Sequence, residues 1–204
     1  MSSPFDAGLL GGACVLECGN GERITLPTQR WTAAPGGGDE LILTRCAGPT
    51  LDIGCGPGRL TAELTQRGIP AMGIDVSRTA VRLTRERGGM ALRRSVFDRI
   101  PGEGRWRHAI LADGNVGIGG DPVALLRRVF QLLVPGGRVL IELEPHGTLR
   151  RERVRVGDGT WFPWAWLGVG ALDDIARAES LRVVWSGTHG SRHFTELARP
   201  PHRA

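Results

Sequence analysis

Leu51-Asp52-Ile53-Gly54-Cys55-Gly56-Pro57-Gly58-Arg59-Leu60 is the stretch that decides how this chain folds. Its first residues, with Thr50, form a short apolar run of the kind a buried strand needs. Its last residues open a helical pattern in which Leu60 and Leu64 share a face, running to Arg67 with Gly68 as a stop. Between the two, glycines at 54, 56 and 58 let the backbone turn sharply and approach a ligand with no Cβ in the way. The free amides at the start of the following helix favour a negative group. Ala71-Met72-Gly73-Ile74 reads as a second strand, and Asp75 stands at its end, 21 residues beyond Gly54. An acid at that place accepts hydrogen bonds from both hydroxyls of a ribose. The glycine spacing is Gly-x-Gly-x-Gly. It differs from the Gly-x-Gly-x-x-Gly of dinucleotide binders, and no Gly-Lys-Ser/Thr of a P-loop follows it.

Outward from this unit the rhythm continues as strand and helix. Ser77 caps a helix carrying Val81 and Leu83, and Met90 to Val96 is a third strand with no long helix after it. His108 to Ala112 is a fourth strand. Asp121-Pro122 is an N-cap with proline at the first helical position, and Leu126, Val129, Phe130 and Leu133 follow at helical spacing. Pro135-Gly136-Gly137 ends that helix and Arg138 to Leu143 is a fifth strand. Ala171 to Ser180 is a last helix. Leu181 to Trp185 and Phe194 to Leu197 are final strands joined through Gly187 and Gly190. Such alternation predicts an α/β fold: a doubly wound, mostly parallel seven-stranded sheet with helices on both faces. Ligands of such sheets sit at the carboxyl ends of the strands, near the topological switch point.

The first 47 residues have a different texture. Ala13 to Cys18 and Arg23 to Leu26 flank Gly19-Asn20-Gly21, which predicts a β-hairpin. Pro35-Gly36-Gly37-Gly38 is a break, after which Asp39 caps a short helix through Leu41, Ile42 and Arg45.

Composition narrows the function. The chain has 204 residues, 41% apolar and 23% charged, which is ordinary globular usage and long enough to bury a core without staples. No apolar run approaches the roughly 18–20 residues of a membrane helix, and the start lacks a signal-peptide pattern. Net charge is +5, yet all 26 basic residues are Arg and none is Lys, which points to codon bias. The densest basic stretch, Arg150-Arg151-Glu152-Arg153-Val154-Arg155, reads as a solvated strand face rather than a phosphate patch, so a nucleic-acid partner is disfavoured. Cys14, Cys18, Cys46 and Cys55 lack paired metal-ligand spacing, so no metal site is expected and the thiols fit a reduced, cytoplasmic setting.

Leu51 to Leu60 closely resembles motif I of the class I S-adenosylmethionine-dependent methyltransferases. Gly73-Ile74-Asp75-Val76-Ser77 is similar to their second motif, and Leu132 to Leu140 to their turn into the fifth strand. The resemblance spans about 50–143 and the final helix and strand pair; it does not cover 1–47 or 144–168. It implies S-adenosylmethionine as cofactor. Asp52, Gly54, Cys55, Gly56 and Gly58 would form the loop, with Asp52, Gly54 and Gly56 holding the methionine moiety. Asp75 would take the ribose and Val76 would lie against the adenine. Ser95-Val96-Phe97 falls where the family often has Asp followed by a small residue; a hydroxyl there accepts more weakly than a carboxylate. Ala112 ends the fourth strand beside the methyl group.

On this reading the chain divides into an N-terminal hairpin and short helix (1–47) over the active site and a methyltransferase domain (48–204) with a substrate-side insertion at about 144–168. The enzyme would transfer a methyl group to O, N or S of a small-molecule acceptor by in-line displacement, a step that asks the protein mainly for alignment and water exclusion. Asp113, Asn115 and His146 follow strand ends that face substrate and are the catalytic candidates, with Glu144 placed to orient His146. Each has a bland counterpart: a turn residue for Asp113 and Asn115, a solvated loop for His146. Trp161, Trp164 and Trp166 either enclose an apolar substrate or pack the insertion onto the sheet or onto a partner in a homodimer. An Asn/Asp-Pro-Pro-aromatic motif is absent after the fourth strand, and no Cys lies past Cys55, which argues against base-methylating chemistry. The alternatives are an RNA or protein methyltransferase, or a non-catalytic binding protein of the same fold.

Overall fold

In the computed structural model, which describes residues 3–198, the chain builds two sheets. The larger contains β3 (Thr50–Ile53), β4 (Ala71–Asp75), β5 (Met90–Arg93), β6 (Trp106–Leu111), β7 (Leu133–Leu143), β10 (Arg182–His189) and β11 (Arg192–Ala198). Their order is β10-β11-β7-β6-β3-β4-β5. β3 pairs in parallel with β4 (Thr50 opposite Ala71) and with β6 (Thr50 opposite His108), and only the β10–β11 hairpin runs antiparallel to its neighbours. The seven-stranded, mostly parallel sheet is the one expected, and its topological switch point lies between β3 and β6.

Both faces are covered, so the central strands are apolar on both sides. Leu51, Ile53, Ala109, Leu111, Val139 and Ile141 face α6 (Pro122–Leu132) and α7 (Val169–Ala178). Ile110, Leu140 and Phe194 face α3 (Gly37–Leu43) and α4 (Arg59–Gln66). α5 (Arg78–Glu86) is capped by Ser77, whose hydroxyl oxygen accepts from the Ala80 amide, and Asp121 caps α6 through the amides of Val123 and Ala124.

The second sheet was not foreseen as a unit. Its order is β2-β1-β8-β9: the expected hairpin of β1 (Val15–Cys18) and β2 (Arg23–Thr25) pairs with β8 (Leu149–Val156), which pairs with β9 (Phe162–Leu167). The first and the late segments of the chain are thus hydrogen-bonded to each other, with Leu16 opposite Val156 and Cys18 opposite Val154. β9 lies against a 3₁₀ turn at Asn115–Gly120. A Cβ at Gly117 would collide with the Ala165 carbonyl, so glycine is what allows that approach.

Several boundaries differ. α1 (Asp6–Leu9) and α2 (Thr28–Thr32) are too short to leave a periodic signal. Gly36, not Asp39, occupies the N-cap of α3; Asp39 sits at the third helical position and its carboxylate accepts from the Gly36 amide. β5 stops at Arg93, because the Ser95 amide donates to Asp98 in a turn. Leu133 already pairs with Trp106 of β6, residues 134–137 then bulge out of the ladder with Gly136 at φ +74°, and pairing resumes at Arg138; Gly187 lies within β10, the hairpin turning at Gly190. No helix among the described residues is long and apolar enough to cross a membrane.

Candidate functional site

A cavity of about 780 Å³ opens at the carboxyl ends of β3, β4, β6 and β7, beneath the second sheet. That volume is in the roughly 300–1,000 Å³ range of small-molecule sites. Its floor is the glycine loop. Gly54 has φ +71°, and a Cβ there would strike the Asn115 side chain. Gly56 has φ +53°, and a Cβ there would meet only Leu9 at 3.6 Å, so its backbone is open toward the cavity. Gly58 does not line it: it begins α4 at φ +83°, and its missing side chain makes room for the Thr84 backbone of α5.

Asp75 ends β4 with one carboxylate oxygen accepting from the Gly56 amide (3.1 Å) and the other from Ser77 (2.8 Å). Burial raises its pKa. Asp52 is 3% exposed and accepts from the Thr61 hydroxyl at 2.7 Å; burial pushes its carboxyl up to about 6. The Cys55 thiol is pushed up by burial and bonds toward Thr84. Val76 and Phe97 line the cavity while 56% and 48% exposed, so two large apolar side chains wait uncovered on either side of its β4–β5 end. Ser95, Val96 and Ala112 line it too. The Ser95 oxygen already accepts from the Phe97 amide (3.3 Å), which leaves its O–H to donate.

The catalytic candidates separate. Asp113, at φ +54°, is held between two guanidiniums, Arg30 at 2.8 Å and Arg59 at 2.6 Å. Its two oxygens are thus taken up by ion pairs that bind α2 and α4 to the end of β6. Asn115 spends both amide protons on the carbonyls of Ile53 and Gly54 (3.0 and 2.9 Å), so it clamps the loop and offers only its oxygen to a ligand. His146 does not line the cavity. It is exposed in the loop beyond β7, whose backbone is packed against Gly168. Trp164 and Trp166 line the cavity from β9, whereas Trp161 precedes that strand and lies outside, under the Arg155 guanidinium. The period-two alternation of a strand puts Phe162, Trp164 and Trp166 on one face.

Five members of the site went unnoticed in the sequence. Arg59 is 4% and Asp39 is 1% exposed, and they form an ion pair. Arg192 bonds Asp39 (3.0 Å) and Glu142 (2.8 Å); Arg30 reaches Asp113; Glu142 accepts from the Asp113 amide at 2.8 Å. Three arginines and three acids therefore close a network joining α2, α3, α4, β6, β7 and β11 beneath the cavity. Burial opposes ionisation of Asp39, but Arg59, the Gly36 amide and Arg192 hold its pKa below the usual value. Arg192 and Arg30 do the same for Glu142. Alone, each of these arginines looks like any other in an Arg-rich chain; only the Gly58-Arg59 junction marked one of them as lying next to the loop.

Residues 50–137 match the family described as "Methyltransferase domain". No curated protein sequence matches the chain. Among solved structures it is similar to a S-adenosylmethionine-dependent methyltransferase from Bacteroides fragilis crystallised with S-adenosyl-L-homocysteine. The TM-score is 0.77 at 19% identity, covering 95% of this chain and 93% of that one. It is also similar to the 1,6-didemethyltoxoflavin-N1-methyltransferase of Burkholderia thailandensis (TM-score 0.60, 20% identity, 78% of this chain and 74% of that one). A third is the CcbJ methyltransferase of Streptomyces caelestis (0.62, 16%, 82% and 91%).

Proposed function

We propose that this chain is a class I S-adenosylmethionine-dependent methyltransferase, a reading supported by its fold and by the methyltransferase-domain match over residues 50–137, and that it methylates O, N or S of a small-molecule acceptor. One observation carries the small-acceptor reading: the motif loop and Asp75 open into a cavity of about 780 Å³ roofed by the aromatic face of the second sheet. The setting we infer is cytoplasmic, in keeping with four buried free thiols.

The residues present fit the cofactor. The open backbone at Gly56, the acid ending β4 and the uncovered Val76 and Phe97 are the features a nucleoside with an amino-acid tail requires. Asp75, already aimed by two amides, accepts from the ribose hydroxyls. Val76 and Phe97 flank the adenine, and Ser95 and the Val96 backbone meet its polar edge. Asp52, Gly54 and Gly56 receive the methionine end, the Asp52 carboxylate facing its ammonium. When bound, S-adenosylmethionine supplies a methyl group on an electrophilic sulfonium. Asn115 holds the loop in shape, and the Arg30–Asp113–Arg59 set fixes the floor beside Ala112. The second sheet excludes water from the acceptor, which in-line displacement needs more than acid–base help.

Calorimetric titration of ligand-stripped protein with S-adenosylmethionine and S-adenosylhomocysteine tests the reading. Micromolar binding of either is the expected result, followed by methyl transfer to small acceptors from a labelled donor. Absence of binding by folded protein would overturn it.

A further inference from the structure

The acceptor end of the cavity has an unusual charge balance. Arg30, Arg59 and Arg192 are each consumed by carboxylates of the buried network. Arg94 lines the cavity beside Ser95, after β5, and three strands separate β5 from β7 in the sheet. Glu144 immediately follows β7 and lines the same cavity. Its backbone is bonded to Leu167 and Val169, which fixes it next to the end of β9. Its side chain is exposed to the cavity and makes no hydrogen bond or ion pair among the described residues. The charged groups that face it are Glu142, which repels a second negative charge, and Arg30, already held by Asp113. The wall that β9 supplies beside it is aromatic: Phe5 lies 5.7 Å from both Phe162 and Trp164, and Trp166, whose ring also carries the Arg150 guanidinium at 4.9 Å, continues the row.

We propose that the acceptor is an amine, held as its ammonium between the aromatic wall and the Glu144 carboxylate, and that Glu144 takes its proton. Ring faces attract a cation, and an unpaired carboxylate completes the recognition; an anionic acceptor would find no free guanidinium at this end. The proposal rests on the methyltransferase reading of the cavity. The balance is simple. The ammonium gives one proton to Glu144 and becomes a neutral amine. Its lone pair forms the N–C bond as the C–S bond breaks, and that electron pair stays on sulfur, turning the sulfonium into a thioether. The methylated nitrogen now carries the charge, and Glu144 passes its proton to water at the cavity mouth.

Calorimetry with matched probes tests this, using 2-phenylethylamine and tryptamine, their alcohol counterparts 2-phenylethanol and tryptophol, and the acids 3-phenylpropionate and indole-3-propionate. Each is titrated into the full chain with and without S-adenosylhomocysteine. The expected result is that the amines bind at least about tenfold more tightly than alcohols or acids. E144Q should erase that preference while leaving S-adenosylhomocysteine affinity unchanged. W166L should weaken the amines by about threefold to tenfold and the alcohols less. Equal or tighter binding of alcohols or acids, no amine binding at millimolar concentration, or an amine preference that survives E144Q would each overturn the proposal. If S-adenosylhomocysteine binds neither protein while the Glu144-dependent preference holds, the methyltransferase reading fails and the amine site stands.

Discussion

Asp75 accepts hydrogen bonds from the amides of Gly56 and Ser77, so its carboxylate is fixed in place before a ribose reaches it. Asp75→Ala should weaken S-adenosylmethionine binding by at least about 2 kcal/mol, because two ribose hydroxyls lose their acceptor. Calorimetry checks this, and unchanged affinity in a folded variant would remove Asp75 from the site. Asp52 adds a pH dependence. Its folded pKa of about 6 lies above the ordinary carboxylate value, so without ligand its ionisation weakens the fold as pH rises through about 6. A ligand ammonium facing it reverses the preference and binds the charged form. Affinity should therefore rise about tenfold between pH 5 and pH 7.5, and Asp52→Asn should flatten the rise. A flat wild-type profile would show that Asp52 does not meet the ammonium. These two acids were legible in the sequence because each sits at a strand end within one local unit. Asp113 was legible as a position but not as a role, since its ion pairs come from Arg30 and Arg59 on other elements.

At the scale of elements, the strand–loop–helix joint at β3 and α4 carries two kinds of glycine. Gly56 faces the cavity, while Gly58 faces Thr84 and lets α4 and α5 approach each other. Gly58→Ala should cost about 2–4 kcal/mol, combining a left-handed φ with a Cβ driven into backbone. Urea unfolding would measure it, and a midpoint like wild type would mean the two helices can separate freely. The parallel strands and their helices were readable because apolar periodicity and cap chemistry repeat within a few residues. β8 and β9 were not joined to the N-terminal hairpin in that reading. An Arg-rich strand such as β8 announces a solvated face but says nothing of its neighbours. Its pairing, Leu16 opposite Val156, lies about 140 residues away in sequence.

Across the whole molecule, the buried network joins the apolar packing of α3 in tying the N-terminal segment to the main sheet. Asp39 on α3 pairs with Arg59 and Arg192, and Arg30 on α2 pairs with Asp113. Asp39→Ala would leave buried Arg59 and Arg192 with one carboxylate partner each, Asp113 and Glu142, and should lower stability by about 3 kcal/mol, read as a fall in the urea midpoint. An unchanged midpoint would mean that the N-terminal segment adds nothing to the cooperative unit. The sequence by itself determined the sheet, its helices, the glycine loop and the acid at the end of β4, because periodicity, caps and turn glycines act over short spans. Only the tertiary structure decided which charges meet, that His146 and Trp161 fall outside the cavity while Trp164, Trp166 and Glu144 face it, and that two distant segments form one roof. Those contacts join residues as far as 153 positions apart. They depend on how packed layers bring strand ends together, and no short window of sequence carries that information.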